Sequence, residues 1–237
     1  MASNKQHSVE VIQALRNFPY FVLRNEIEEG YNLYTHELLQ IQQNYIDYKK
    51  GAEFITEGTS GDYVASDVRF KIAKTLIDKE ARFMFSQTPD FLIQQNYVDE
   101  ENTEQIQQYQ TLVNKVLKNS NFSRTLLQSA KDCFIGKRVA CLVDFSEQDG
   151  IQTHFYNSLQ FYYETDYGSD RLTKFISFES VNRTKQTNQK KYLVNRYEEI
   201  NGKTHFSSTL YNGLGNVEQE VVVEQIIELD YIPAVVI

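Results

Sequence analysis

The apolar residues of this chain change their spacing at Gly136, and that change restricts the fold more than any other feature of the sequence. In Phe122–Ile135, residues Leu126, Leu127, Ala130, Cys133 and Phe134 recur at the steps of three and four that gather side chains on one helical face. Gly136 stands where a helix stops. Directly after it, Arg138–Phe145 reads RVACLVDF, an apolar run of strand length, and later segments alternate with a period of two. Helices on one side of such a boundary and turn-linked strands on the other define an α+β chain. The expected division is a mainly helical part, 1–136, followed by an antiparallel β part, 137–237.

Within the first part, residues 8–18 read as a short helix ended by Phe18-Pro19. Arg24–Lys50 forms a longer helical pattern through Ile27, Tyr31, Tyr34, Leu38, Ile41, Tyr45 and Tyr48, closed by Lys50-Gly51. Its tyrosines are amphipathic and suit either core packing or a contact between subunits. Residues 52–65 read as a loop, with a short extended piece at Phe54–Ile55. Ser66-Asp67 then caps a strongly amphipathic helix from Val68, which Thr88-Pro89 ends. Val68, Ile72, Leu76 and Phe83 form one row of it, and Ala73, Ile77, Ala81 and Met84 a second, so a broad face is expected in the core. Lys71, Lys74, Asp78 and Lys79 are expected to face solvent or another subunit. Residues 90–98 look extended, and Thr103 opens a further helix to about Lys118.

The second part reads as strands at Arg138–Phe145, Ile151–Tyr156, Phe161–Thr165, Arg171–Val181, Lys190–Ile200, Lys203–Tyr211, Val217–Leu229 and Ala234–Ile237. Asn201-Gly202 between two of them is a strong hairpin signal. The final PAVVI is apolar and in mid-strand, so the expectation is a piece of a longer protein.

Composition excludes several classes of function. The net charge is −8, the wrong sign for a protein that holds nucleic acid over its whole surface. No apolar run reaches the roughly 20 residues of a membrane helix, and the N-terminus lacks the apolar block of a secretion signal. Cys133 and Cys141, the two cysteines, lie among apolar neighbours and read as buried free thiols in a reducing compartment.

Catalytic patterns are missing. His7, His36, His154 and His205 are isolated, without metal-ligand spacing. Gly213-Leu214-Gly215 lacks the third glycine of a dinucleotide loop, and no phosphate-binding loop with a terminal Lys-Ser or Lys-Thr is present. Asp99, Glu100 and Glu101 are consecutive and read as a solvated turn. The one local basic cluster, Arg183, Lys185, Lys190 and Lys191, lies in a polar connection between strands. It is either a solvated hairpin tip or a contact to phosphate or an acidic partner.

Three passages in order carry a resemblance. The first is the aromatic Tyr45–Gly51, YIDYKKG. The second is Lys71–Asp78, KIAKTLID, with Phe83–Pro89, FMFSQTP. The third is Ser129–Phe145, a helix-Gly-strand junction. With the closing LDYIPAVV from Leu229, they resemble the portal (connector) proteins of tailed bacteriophages, of the type found in long-tailed phages of Gram-positive hosts. Ser86 stands where that family has glycine, and an additional Thr88 precedes the proline. The matching order spans nearly the whole chain. The family's stem helices, clip and crown would lie after Ile237, so the resemblance implies the wing-like unit of a longer portal protein.

The resemblance implies an architectural, non-catalytic role without cofactor or metal. The full-length protein would associate with itself into a ring at one capsid vertex. The ring is the conduit for DNA entry and exit, and the docking site for the packaging motor (terminase) and head-tail adaptors. Capsid protein, terminase and adaptor are the implied partners, together with transient, non-specific DNA and no membrane. The implied location is the virion's portal vertex, and the host cytoplasm during assembly or as a prophage product. This piece alone is expected to be monomeric or weakly associating. Two alternatives stand beside it: a nucleic-acid-processing enzyme whose carboxylates form a metal site only in three dimensions, and a stand-alone interaction module.

Overall fold

A computed structural model describes residues 31–53, 69–87, 89–93, 103–146, 150–181, 190–213 and 216–237. The helix expected at 8–18, the extended piece at Phe54–Ile55 and Asp99, Glu100 and Glu101 lie outside them. Among the described residues the chain is α+β, with four helices followed by antiparallel sheets. The helices are α1 (Tyr31–Lys50), α2 (Ile72–Phe85), α3 (Thr103–Asn119) and α4 (Phe122–Gly136). A two-stranded ladder, β1 (Ala52–Glu53) with β2 (Arg69–Phe70), precedes α2. That pairing corrects the expected start of α2 at Val68: Arg69 and Phe70 are committed to β2, so the helix begins at Ile72 with Lys71 as its N-cap.

The remaining strands are β3 (Val139–Ser146), β4 (Gly150–Asn157), β5 (Phe161–Thr165), β6 (Leu172–Ser180), β7 (Lys191–Ile200), β8 (Lys203–Asn212), β9 (Val217–Ile227) and β10 (Ala234–Val236). They form two sheets. One is a five-stranded meander in the order β5-β6-β7-β8-β9, and the other is three-stranded in the order β10-β3-β4. Asn201 and Gly202 both have positive φ, 53° and 74°, which gives the β7–β8 hairpin the twist of a type I′ turn.

Successive side chains of a strand point to opposite faces, and β6 shows what this does here. Phe175 enters a core with Phe161, Leu172 and Tyr197 of the large sheet and Ala140, Leu142 and Tyr156 of the small one. Its neighbour Ile176 points the other way, to Phe178, Val194 and Leu38 of α1. The large sheet is thus covered by the small sheet on one face and by α1 on the other. Helix α4 packs in turn against β3, β4, α1 and α2.

Gly136 marks the period change for a reason other than the one expected. It is the last helical residue, and the left-handed conformation of the helix end belongs to Lys137, with φ 69°. Gly136 is buried, and a Cβ there would overlap the Ser158 side chain and touch Ile41. The single Ser158 Oγ–H, in the turn between β4 and β5, is shared between the carbonyls of Gly136 (2.7 Å) and Arg138, which ties the end of α4 to that turn. Close approach, more than turn freedom, demands glycine.

Candidate functional site

Helix α2 departs most from expectation. Ile72, Leu76, Phe83 and Met84 of its apolar rows are exposed, Phe83 by 86%, and Ala81 is its one buried residue. Val68 lies outside the described residues. At 100° per residue, Ile72, Leu76 and Phe83 form a stripe nearly opposite Ala81. The helix therefore turns its apolar stripe outward and its narrow, partly polar side inward.

The inward contacts explain this. Asp78 accepts from Tyr48 Oη at 2.7 Å, Lys74 Nζ at 2.7 Å and Lys131 Nζ at 2.8 Å, tying α2 to α1 and α4. These bonds, Lys131 first, hold the Asp78 carboxyl well below the usual carboxylate range. Lys74 also lies over the Tyr48 ring, 4.8 Å from its centroid. Lys71 and Lys79 are exposed as expected, whereas Lys74 and Asp78 form this internal pin. A second pin joins α1 to α4: Tyr45 Oη donates to Asp132 Oδ1 at 2.9 Å and Gln128 to Oδ2 at 3.3 Å. Burial pushes the Asp132 carboxyl up and the Tyr45 hydroxyl well above its ordinary value.

The basic cluster is not brought together as an open site. Arg183 and Lys185 lie outside the described residues. Lys191 Nζ pairs with Glu218 Oε2 of β9 at 2.6 Å, and Lys190 also has a partner. An anion approaching Lys191 must compete with that carboxylate. His205 Nδ1 contacts Glu224 Oε1 at 2.6 Å. Cys133 and Cys141 are free and only half-buried, and burial raises both thiols. Among the described residues no group of three or more His, Cys, Asp or Glu could hold a metal ion. None of the described helices is long and apolar enough to cross a membrane.

A cleft of about 580 Å³ is lined by residues of both sheets. Val143, Phe145 and Ile151 lie on the side of the small sheet, and Phe206, Gln225 and Ile227 on the side of the large one. Leu229, Tyr231, Ile232 and Pro233, from the link to β10, also line the cleft. Among the described residues of the lining, Asp144 is the one that carries a charge. Tyr197 is 3% exposed, and its ring lies tilted against those of Phe175 and Phe206. Burial raises the Tyr197 hydroxyl far above its ordinary value, with the Asp144 and Glu179 charges adding to the effect. Sequence reading missed this cleft, because its walls come from β3, β7, β8 and β9, which only sheet packing brings together.

No family model matches the chain, and a search of curated proteins finds none that matches it.

Proposed function

We propose that this chain is the wing-like part of a phage portal protein, with an architectural and non-catalytic role in the ring at one capsid vertex. The observation that carries the reading is the order of the three resembling passages along the sequence. They fall on the end of α1, on α2 and on the α4-to-β3 junction, and the side chains within them meet: Tyr48 and Asp78 bond at 2.7 Å, and Tyr45 and Asp132 at 2.9 Å. Helix α2 reaches the strands through α4, so these passages and the sheets form one packed assembly. The outward apolar stripe of α2 suits a subunit built to lie against neighbours, since exposed apolar patches mark interaction surfaces. The net charge of −8 suits a conduit past which DNA slides without adhering. In this reading the partners of the full-length protein are its own copies, capsid protein, terminase and head-tail adaptors, and its location is the virion.

The test is immunogold labelling of phage particles from the host that carries the gene, with antibodies raised against this chain. Label confined to one vertex is expected. Label spread over the shell, or confined to particle-free lysate, overturns the proposal. Incubation with plasmid DNA and divalent cations separates the enzyme alternative: no cleavage is expected, and cleavage lost on carboxylate substitution would replace the architectural reading.

A further inference from the structure

The cleft lined by both sheets is bordered by a strand whose edge is only half used. β3 pairs with β4 along its full length, from Val139 to Ser146. On its other side β10 pairs only with Ala140–Leu142. Reciprocal bonds between Val139 and Ile237, at 3.0 and 2.9 Å, and the Val143 N–H to Pro233 carbonyl bond at 2.8 Å bracket that pairing. Before Pro233 the chain arrives from the large sheet, where the Leu229 carbonyl accepts from Thr204 N–H at 3.0 Å. The lane beside residues 144–146 is therefore unoccupied by any described strand.

Main-chain directions alternate along an antiparallel strand. Val139 and Val143 direct their N–H groups to the β10 side, so Phe145 does the same, towards the open lane. Its N–H is met by the side chain of Asp144, whose Oδ1 accepts it at 2.8 Å. The carboxylate stands where a neighbouring strand's carbonyl would be. The floor of the lane is the inner face of the large sheet. There Phe175, Tyr197, Phe206 and Gln225 lie opposite one another across β6 to β9. The small sheet covers Phe175 and Tyr197, at 0% and 3% exposure, while Phe206 is half-buried and Gln225 exposed. Among the described residues the small sheet has three strands and the large one five.

We propose that an extended segment of a partner polypeptide, apolar at alternate positions and flanked by Lys or Arg, adds to β3 at Phe145 and fills the cleft. A strand edge selects a strand: main-chain bonds give affinity and alternate side chains give specificity. The described lining is apolar apart from Asp144, Gln225 and the Tyr197 hydroxyl. Charge sets the flanks. Asp144 lies in the lane, and the exposed Glu228 and Asp230 are chain neighbours of lining residues, whereas no Lys, Arg or His is among the described residues that line the cleft. This inference stands independently of the portal reading.

The test selects binders from a random nonapeptide library on the folded chain. Two variants follow. Phe145→Pro removes the outward N–H without touching the β3–β4 ladder, and Phe145→Thr keeps it. Phe145 is 68% exposed, so both variants are expected to fold, which thermal unfolding checks. Enriched peptides should alternate apolar residues between basic ends. By fluorescence anisotropy, a labelled selected peptide should bind Phe145→Pro at least tenfold more weakly, and Phe145→Thr within about threefold of the parent. N-methylation of the peptide at alternate residues should also weaken binding at least tenfold. Selection without a period-two pattern, no binder at all, or equal binding to both variants overturns the proposal. So does a concentration-dependent dimer abolished by Phe145→Pro, which would assign the lane to a second copy.

Discussion

Phe175 and Phe83 are the same residue type in opposite situations. Phe175 is 0% exposed between two sheets, and Phe83 is 86% exposed on α2. Around Phe175, rings lie 5.8 Å from Phe161, 6.2 Å from Tyr156 and 6.3 Å from Tyr197, a seam held by apolar contact. Around α2 the helix is fastened by charged hydrogen bonds at Asp78, and its apolar stripe is left over. The seam gains its stability by removing hydrocarbon from water, roughly 2–3 kcal/mol for a fully buried large side chain. The pin at Asp78 gains less, because charge-assisted bonds only replace bonds to water. One region spends its apolar residues on folding, and the other keeps them for contact with something else.

The sharpest way to break this contrast is Phe175→Ala. It should cost about 3–5 kcal/mol, read as a lowered urea midpoint, because a ring-sized cavity opens in a closed seam. A loss under about 1 kcal/mol would mean the seam is looser than its burial indicates. Next, Gly136→Val should cost about 1–3 kcal/mol, since the new side chain must displace Ser158 and the hydroxyl bond it shares between two carbonyls.

Asp78→Asn should cost about 1 kcal/mol at neutral pH and speed hydrogen exchange in α2 more than in β6. Its pH dependence has a definite sign. The Asp78 carboxyl is held below its ordinary value of about 3.9, so the unfolded chain binds the proton more readily. The stabilisation is complete above that value and is lost as pH falls through it towards the lower folded value. Asp132 has the opposite sign. Its carboxyl is held up, mainly by burial, so its contribution favours the folded chain at low pH and fades as pH rises through the folded value. Asp132→Asn should therefore cost less than Asp78→Asn at neutral pH, and urea midpoints from pH 3 to 8 measure both slopes. The smallest stability effect belongs to Phe83→Ser, within about 0.5 kcal/mol, as for an exposed site. If it instead destabilises by several times that, the stripe packs on its own chain and the contrast with the seam fails.

Much of the architecture was legible in local pattern. The helix-to-strand boundary, the Asn201-Gly202 hairpin and the order of strands depend on periods of 3.6 and 2 and on turn residues, which act over a few positions. The start of α2 was misplaced because its competitor is the partner strand Ala52–Glu53, more than fifteen residues earlier. The role of Gly136 was misassigned because the atom that excludes a side chain there belongs to Ser158. The basic cluster was legible as charge, but the Lys191–Glu218 pair was not, since it joins β7 to β9.

By itself the sequence determined an α+β chain, its elements and its acidic balance, all properties of short windows or simple sums. Only the tertiary structure decided which apolar residues are core and which are surface. An amphipathic stripe records that a face avoids water but not what covers it. For Phe175 the cover is the small sheet. For α2, polar bonds on the opposite side fixed the helix's rotation and turned its stripe outward. The half-used edge of β3 arose the same way: eight residues of strand are local, but where the chain arriving from the large sheet joins that edge, at Pro233 and opposite only part of it, is a matter of where the large sheet lies.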